Sequence, residues 1–138
     1  MKEIVTYLNF DGQTREAMEF YRKCLGGELF LMRYSDAPGE TPPEMRERII
    51  HACLTTPNGK IMASDTMPGM PFQQGTNDFW ISLHCESLEE IERVFADLGE
   101  GGKVDMPLDN MFWGARFGTL VDRFGVKWMF NYELPKTS

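Results

Sequence analysis

Two histidines, three cysteines and a spread of carboxylates are the side chains of this sequence with the most chemistry to offer. His51 sits in Ile50-His51-Ala52-Cys53-Leu54-Thr55 and His84 in Trp80-Ile81-Ser82-Leu83-His84. Both runs have the alternating, β-branched character of strands. Alternation places His84 on one face with Trp80 and Ser82, opposite Ile81 and Leu83. It places His51 with Cys53 and Thr55, opposite Ile50, Ala52 and Leu54, and it sets Met129 and Asn131 opposite Trp128 and Phe130. The apolar faces are expected to meet a helix, which turns His51, Trp80, Ser82, His84, Met129 and Asn131 toward a cavity. Asp65 and Glu133 end strands of the same kind. A carboxylate there would serve as a general base beside a carbonyl, and two imidazoles with Asp65 or Glu133 could share a metal. The plainer alternative is that each imidazole bonds a neighbour and Asp65 caps a turn. The sequence leaves both open.

Cys24, Cys53 and Cys85 are odd in number and lack metal-type spacing, so free thiols in a reducing compartment are expected. Cys53 would become a nucleophile only if His51 or His84 lowered its pKa. Trp113 and Arg116, three apart on an expected strand, project to opposite faces, either as anchors of a pocket and a dimer contact or as sheet packing and a surface ion pair. Ten methionines fit an adaptable apolar pocket or ordinary core filling.

These residues need elements to hold them. Ile4 to Phe10 reads as a strand, and Thr14 caps a helix to Leu25 with Ala17, Phe20, Tyr21, Cys24 and Leu25 as its apolar stripe. Gly26-Gly27 stops it. Strands follow at 28–34, 48–56 and 60–65, with a Pro-rich loop over 35–47 and an Asn58-Gly59 hairpin turn. Residues 66–77 read as a mobile, Pro/Gly-rich connection. The order then repeats: a strand at 78–85, a helix opened by a Ser87/Glu90 capping box with Leu88, Ile91, Val94, Phe95 and Leu98 inward, and strands at 103–108, 113–121 and 126–132. The helix stripes superpose at a spacing of about 74 residues, so the chain is an internal duplication of a βαβββ module. Module one is 1–66, the linker 67–77 and module two 78–138, within a single domain of 138 residues. The fold class is α+β.

A net charge of −7 argues against nucleic acid, which needs clustered Lys and Arg, and would suit a neutral or cationic ligand. No apolar signal core and no membrane-length apolar run is present, so a cytoplasmic protein is expected.

Three strings carry a family resemblance: Arg15-Glu16-Ala17-Met18-Glu19-Phe20-Tyr21 with Leu25-Gly26-Gly27; Met62-Ala63-Ser64-Asp65; and Phe112-Trp113-Gly114-Ala115-Arg116-Phe117-Gly118 with Asp122-Arg123-Phe124-Gly125-Val126-Lys127-Trp128. With the duplicated pattern, they make the chain resemble the PhnB-like branch of the glyoxalase/bleomycin-resistance (vicinal oxygen chelate) superfamily. The resemblance implies curved mixed sheets around a cavity, helices outside, homodimers, and sites inside or between the modules. It also implies octahedral divalent-metal ligands, His, Gln or Glu, on the first and last strands of each module. Those positions fall at Val5 or Tyr7, Met62 or Ser64, Trp80, and Met129 or Asn131. None is a His or Glu, so no chelated metal or other cofactor is expected. Labels of phosphonate metabolism and demethylubiquinone methyl transfer attach to this branch. The chain has no glycine-rich strand-to-helix loop to cradle S-adenosylmethionine, which argues against methyl transfer.

The expected function is small-molecule binding in a cavity lined by Tyr7, His51, Ser64, Asp65, Trp80, Ser82, His84, Trp113, Arg116, Met129 and Asn131, with sequestration as the mode of action that the resemblance implies. The alternatives are a metal-dependent lyase or isomerase using His51, His84 or Asp65, and a dimer whose cavity is vestigial and filled.

Overall fold

The duplication seen in the helix stripes is repeated in the sheets of the computed structural model, which describes residues 1–67, 72 and 79–136. The chain divides into two units, Met1–Gln73 and Gln74–Ser138. The first holds β1 (Thr6–Phe10), α1 (Thr14–Leu25), β2 (Glu28–Arg33), β3 (Ile49–Thr56) and β4 (Gly59–Asp65). The second holds β5 (Ile81–His84), α2 (Leu88–Gly99), β6 (Lys103–Asn110), β7 (Ala115–Val121) and β8 (Lys127–Glu133). Strand order is β1-β4-β3-β2 in one sheet and β5-β8-β7-β6 in the other. In each, the first strand runs parallel to the last and the remaining pairs are antiparallel. Most of the expected connection over 66–77 lies outside the described residues.

Each helix buries one stripe against one sheet face. In α1 the buried residues are Thr14, Ala17, Met18, Tyr21 and Cys24, so the stripe is turned toward Met18, and Phe20 and Leu25 lie at its margin. In α2 they are Ile91, Val94 and Leu98, while Leu88 is exposed. Leu8, Phe10, Ala52, Leu54, Ile61 and Ala63 are buried in the first unit, and Leu120, Trp128 and Phe130 in the second.

Three local expectations are corrected. Ile49, not Ile50, joins Ala52 and Leu54 in the core, because a bulge between Met32 and Arg33 shifts the register. The β3–β4 hairpin turns on Pro57 and Asn58, with Thr56 opposite Gly59, since Pro57 fixes a negative φ at the first corner position. Thr14 does not cap α1; Gln13 precedes the helix without a side-chain cap bond, and the carboxylate of Asp65 takes that role. Ser87 does cap α2, accepting the Glu90 N–H at 3.1 Å, while the Glu90 carboxylate accepts the N–H of Glu86 at 2.8 Å.

One glycine in each unit closes the step from helix to sheet. A Cβ on Gly27 would overlap the Thr55 carbonyl, and one on Gly102 would overlap the Val121 carbonyl. The equivalent close approach in both halves marks the duplication at a place where residue identity is legible.

Candidate functional site

The face of the first sheet opposite α1 carries aromatic and thioether side chains in register. Phe30 pairs with Cys53, Cys53 with Met62, and Met62 with Tyr7, which makes one row across all four strands. His51, two residues from Cys53 and opposite Met32, projects to the same face. Its ring stacks on Tyr7 with centroids 5.9 Å apart and leans on Phe30 at 6.4 Å. The Tyr7 hydroxyl and His51 Nδ1 are hydrogen-bonded at 3.2 Å. Tyr7 keeps 47% of its surface exposed and Phe30 55%, so this is an open aromatic platform. Ser64, opposite Asn9, lies further along the face.

Asp65 does not join it. Alternation along β4 sends Met62 and Ser64 to the open face and Ile61, Ala63 and Asp65 to the helix side. There Asp65 is buried, accepting from Gly12 N, Thr14 N, Thr14 Oγ1 and Ile49 N at 2.8–3.1 Å. Its oxygens hold the β1–α1 corner and the start of β3, which leaves the plainer, capping reading for this residue.

The second sheet repeats the row. Met106 pairs with Thr119, Thr119 with Met129, and Met129 with Ser82; the next row runs Asp109, Phe117, Asn131 and His84. Met62 and Met129 hold equivalent register positions in the two units. Trp113 lies just before β7, not in it, with its ring edge-on to Phe117 at 6.0 Å and to Phe112 at 5.1 Å. With Trp113 outside the strand, the expected alternation between the two does not apply; Arg116 itself goes to the helix side. Its Nε donates to Glu92 of α2 at 2.7 Å and a terminal nitrogen donates to Asn110 at 3.1 Å. Arg116 is therefore a tie between helix and sheet and lies apart from Trp80, Ser82, His84, Met129 and Asn131. Sequence reasoning missed Phe30, Phe117 and Lys127. All three alternate onto the open faces and were legible as such, but the burial of Lys127 was not.

The most specific string of the sequence is structural. Asp122 Oδ1 accepts from Phe124 N and Val126 N, and Oδ2 accepts from the indole of buried Trp128 at 2.8 Å. The Asp-Arg-Phe-Gly-Val-Lys-Trp run thus spells a turn pinned to the core. Burial, and then the Glu90 carboxylate, push the Cys85 thiol up to about 11.

The superfamily's divalent metal can be tested against the donors present. Met62 and Met129 offer thioethers, Trp80 and Val5 offer nothing, and His51 Nδ1 is engaged by Tyr7. Hard cations are held by carboxylate oxygens and imidazoles, and of the expected positions only Tyr7, Ser64 and Asn131 offer oxygens, all of them uncharged, so the set fits such a cation poorly. Among the described residues no group of three or more His, Cys, Asp or Glu is placed to hold a metal ion.

Two four-stranded mixed sheets, each with one helix and one open face, define the glyoxalase/bleomycin-resistance class of fold; a Frankia protein of that description shares it at a TM-score of 0.68 and 12% identity. Residues 2–130 match the family described as 3-demethylubiquinone-9 3-methyltransferase, and the chain belongs to that PhnB-like family. It is similar to protein PA1353 of Pseudomonas aeruginosa, with a TM-score of 0.87 and 43% identity over 98% of this chain and 100% of that one. It is similar to the Bacillus cereus PhnB protein, described as a putative 3-demethylubiquinone-9 3-methyltransferase, with a TM-score of 0.77 and 30% identity over 95% and 99%. Protein YjdN of Escherichia coli is 32% identical over 91% of each chain.

Proposed function

We propose that this protein binds a flat, largely apolar small molecule on the open faces of its sheets, without the superfamily's chelated metal. The row Phe30, Cys53, Met62 and Tyr7, with His51 stacked on Tyr7, carries the reading. Aromatic rings held half-exposed on a rigid sheet provide stacking area at little cost in conformational entropy. The Tyr7–His51 pair adds a polar edge.

The lyase or isomerase reading is weakened because Asp65 spends its carboxylate on backbone and Thr14 donors. Methyl transfer, the activity in the family's description, finds no support in the connections: β1 passes to α1 through Asp11-Gly12-Gln13 and β5 to α2 through Cys85-Glu86-Ser87, neither of them a phosphate- or nucleoside-cradling glycine turn. Among the described residues no helix is long and apolar enough to cross a membrane. A homodimer in the cytoplasm, without nucleic acid as a partner, completes the proposal.

The experiment is a thermal-shift screen of aromatic small molecules with metal-verified protein. Binding that raises the melting temperature and is lost in Tyr7→Ala and Phe30→Ala supports the reading. Stoichiometric tightly bound divalent metal in protein purified without chelators, with turnover that tracks it, would overturn it.

A further inference from the structure

The two units treat one lysine differently. Thr6 pairs with Ile61 and Ile81 with Trp128, so Lys60 and Lys127 are register equivalents, each one residue before those partners. Lys60 gives its ammonium to Glu3 at 3.0 Å. Lys127 is only 9% exposed, and among the described residues its Nζ has no hydrogen-bond acceptor. The rings of Phe79 and Trp80 face it instead, with centroids at 5.6 and 5.7 Å.

Ring faces offset part of the cost of burying an ammonium, but they leave its three N–H donors without the oxygen acceptors those donors need. The surroundings suit an incoming oxyanion. Lys127 alternates onto the open face with Met129 and Asn131, next to the exposed Ser82. Phe79 is 62% exposed, so its ring moves aside at little loss of buried surface. At the far end of the same face stand Glu133, six residues or about 20 Å along β8, and Asp109 in the row of Phe117. The face is thus positive at one end and negative at the other, in a chain whose net charge is −7.

We propose that Lys127 anchors the anionic group, a carboxylate, sulfonate or phosphonate, of a small molecule whose flat body lies over Met129 and Thr119. This rests on the open-face binding reading and reverses the preference for neutral or cationic ligands that the net charge alone suggests.

Two fluorescent probes with the same rings test it: anionic 8-anilinonaphthalene-1-sulfonate and neutral N-phenyl-1-naphthylamine. The wild-type protein is expected to bind the anion at least tenfold tighter. Lys127→Met should bring the anion to within about twofold of the neutral probe and leave neutral binding unchanged; Lys127→Arg and Lys60→Met should keep the preference. In wild-type protein, the Lys127 side-chain carbon resonance next to Nζ should move with the anion and not with the neutral probe, which keeps the test intact should Lys127→Met not fold. Equal binding of the two probes overturns the anion anchor alone. Binding of neither overturns the open-face reading with it. Asp78 precedes Phe79 in sequence and lies outside the described residues; an anion preference that appears only in Asp78→Asn would show Lys127 to be neutralised from within, and overturns the proposal.

Discussion

Asp65 Oδ1 accepts the Thr14 hydroxyl proton at 2.8 Å across a sequence separation of 51 residues. The same oxygen takes the backbone N–H groups of Gly12 and Thr14, and the other takes that of Ile49. The last residue of β4 is thereby the cap of a helix that begins before β2. Removing a buried carboxylate with several donors strands all of them, so Asp65→Ala should cost about 3–5 kcal/mol. Thr14→Ala and Asp65→Asn should be non-additive in a double-mutant cycle by about 1–2 kcal/mol. Urea unfolding with unchanged m-value checks both. Additive effects would mean that the carboxylate and the hydroxyl are not partners.

Trp128 and Asp122 make the corresponding tie in the second unit, by other means. Trp128→Phe removes the indole donor at 2.8 Å from the buried carboxylate of Asp122. A loss of about 2–3 kcal/mol is expected. It should appear in thermal unfolding, with probe binding on the open face of the first unit unchanged.

The glycines divide by what a methyl group would meet. Gly27→Ala combines a positive φ of 98° with overlap on the Thr55 carbonyl and should cost about 3–5 kcal/mol. Gly102→Ala meets the Val121 carbonyl with no positive φ and should cost about 2–4 kcal/mol. Gly39→Ala, at φ 96° with open space around it, should cost only about 1 kcal/mol. A Gly39 variant as damaging as the Gly27 one would refute the close-approach argument.

The thiol of Cys85 titrates late. Its folded value of about 11 stands above the ordinary 9.0, so the native state holds the proton more tightly than the unfolded chain does. Stability from this group is complete below pH 9 and lost as pH rises toward 11. Cys85→Ser should flatten that part of the alkaline stability curve. At pH 8, Ellman's reagent should modify Cys85 in the native protein far more slowly than in the denatured chain; equal rates would contradict the burial.

Tyr7 and His51 are exposed enough that their hydrogen bond does little for folding. Tyr7→Phe should change stability by less than about 1 kcal/mol. It should nevertheless shift the His51 ring resonances by NMR. Unchanged His51 resonances would mean that the 3.2 Å contact is not maintained in solution.

By itself the sequence determined the elements, their order, the duplication and most facing relations, because period-2 and period-3.6 patterns and the glycine stops are local signals. The open-face companions Trp80, Ser82, His84, Met129 and Asn131 follow from alternation alone. Tertiary structure decided what a carboxylate or a cation at the end of a strand is for. Asp65 and Arg116 read as candidates for chemistry or for the surface, yet each is consumed by donors or carboxylates on another element, Asp65 by partners as far as 53 residues away. Conversely, Lys127 reads as an ordinary strand lysine and proves to be buried without an acceptor among the described residues. Strand register and helix packing bring distant partners together, and whether a polar group is satisfied depends on those partners. One-dimensional periodicity carries no information about them.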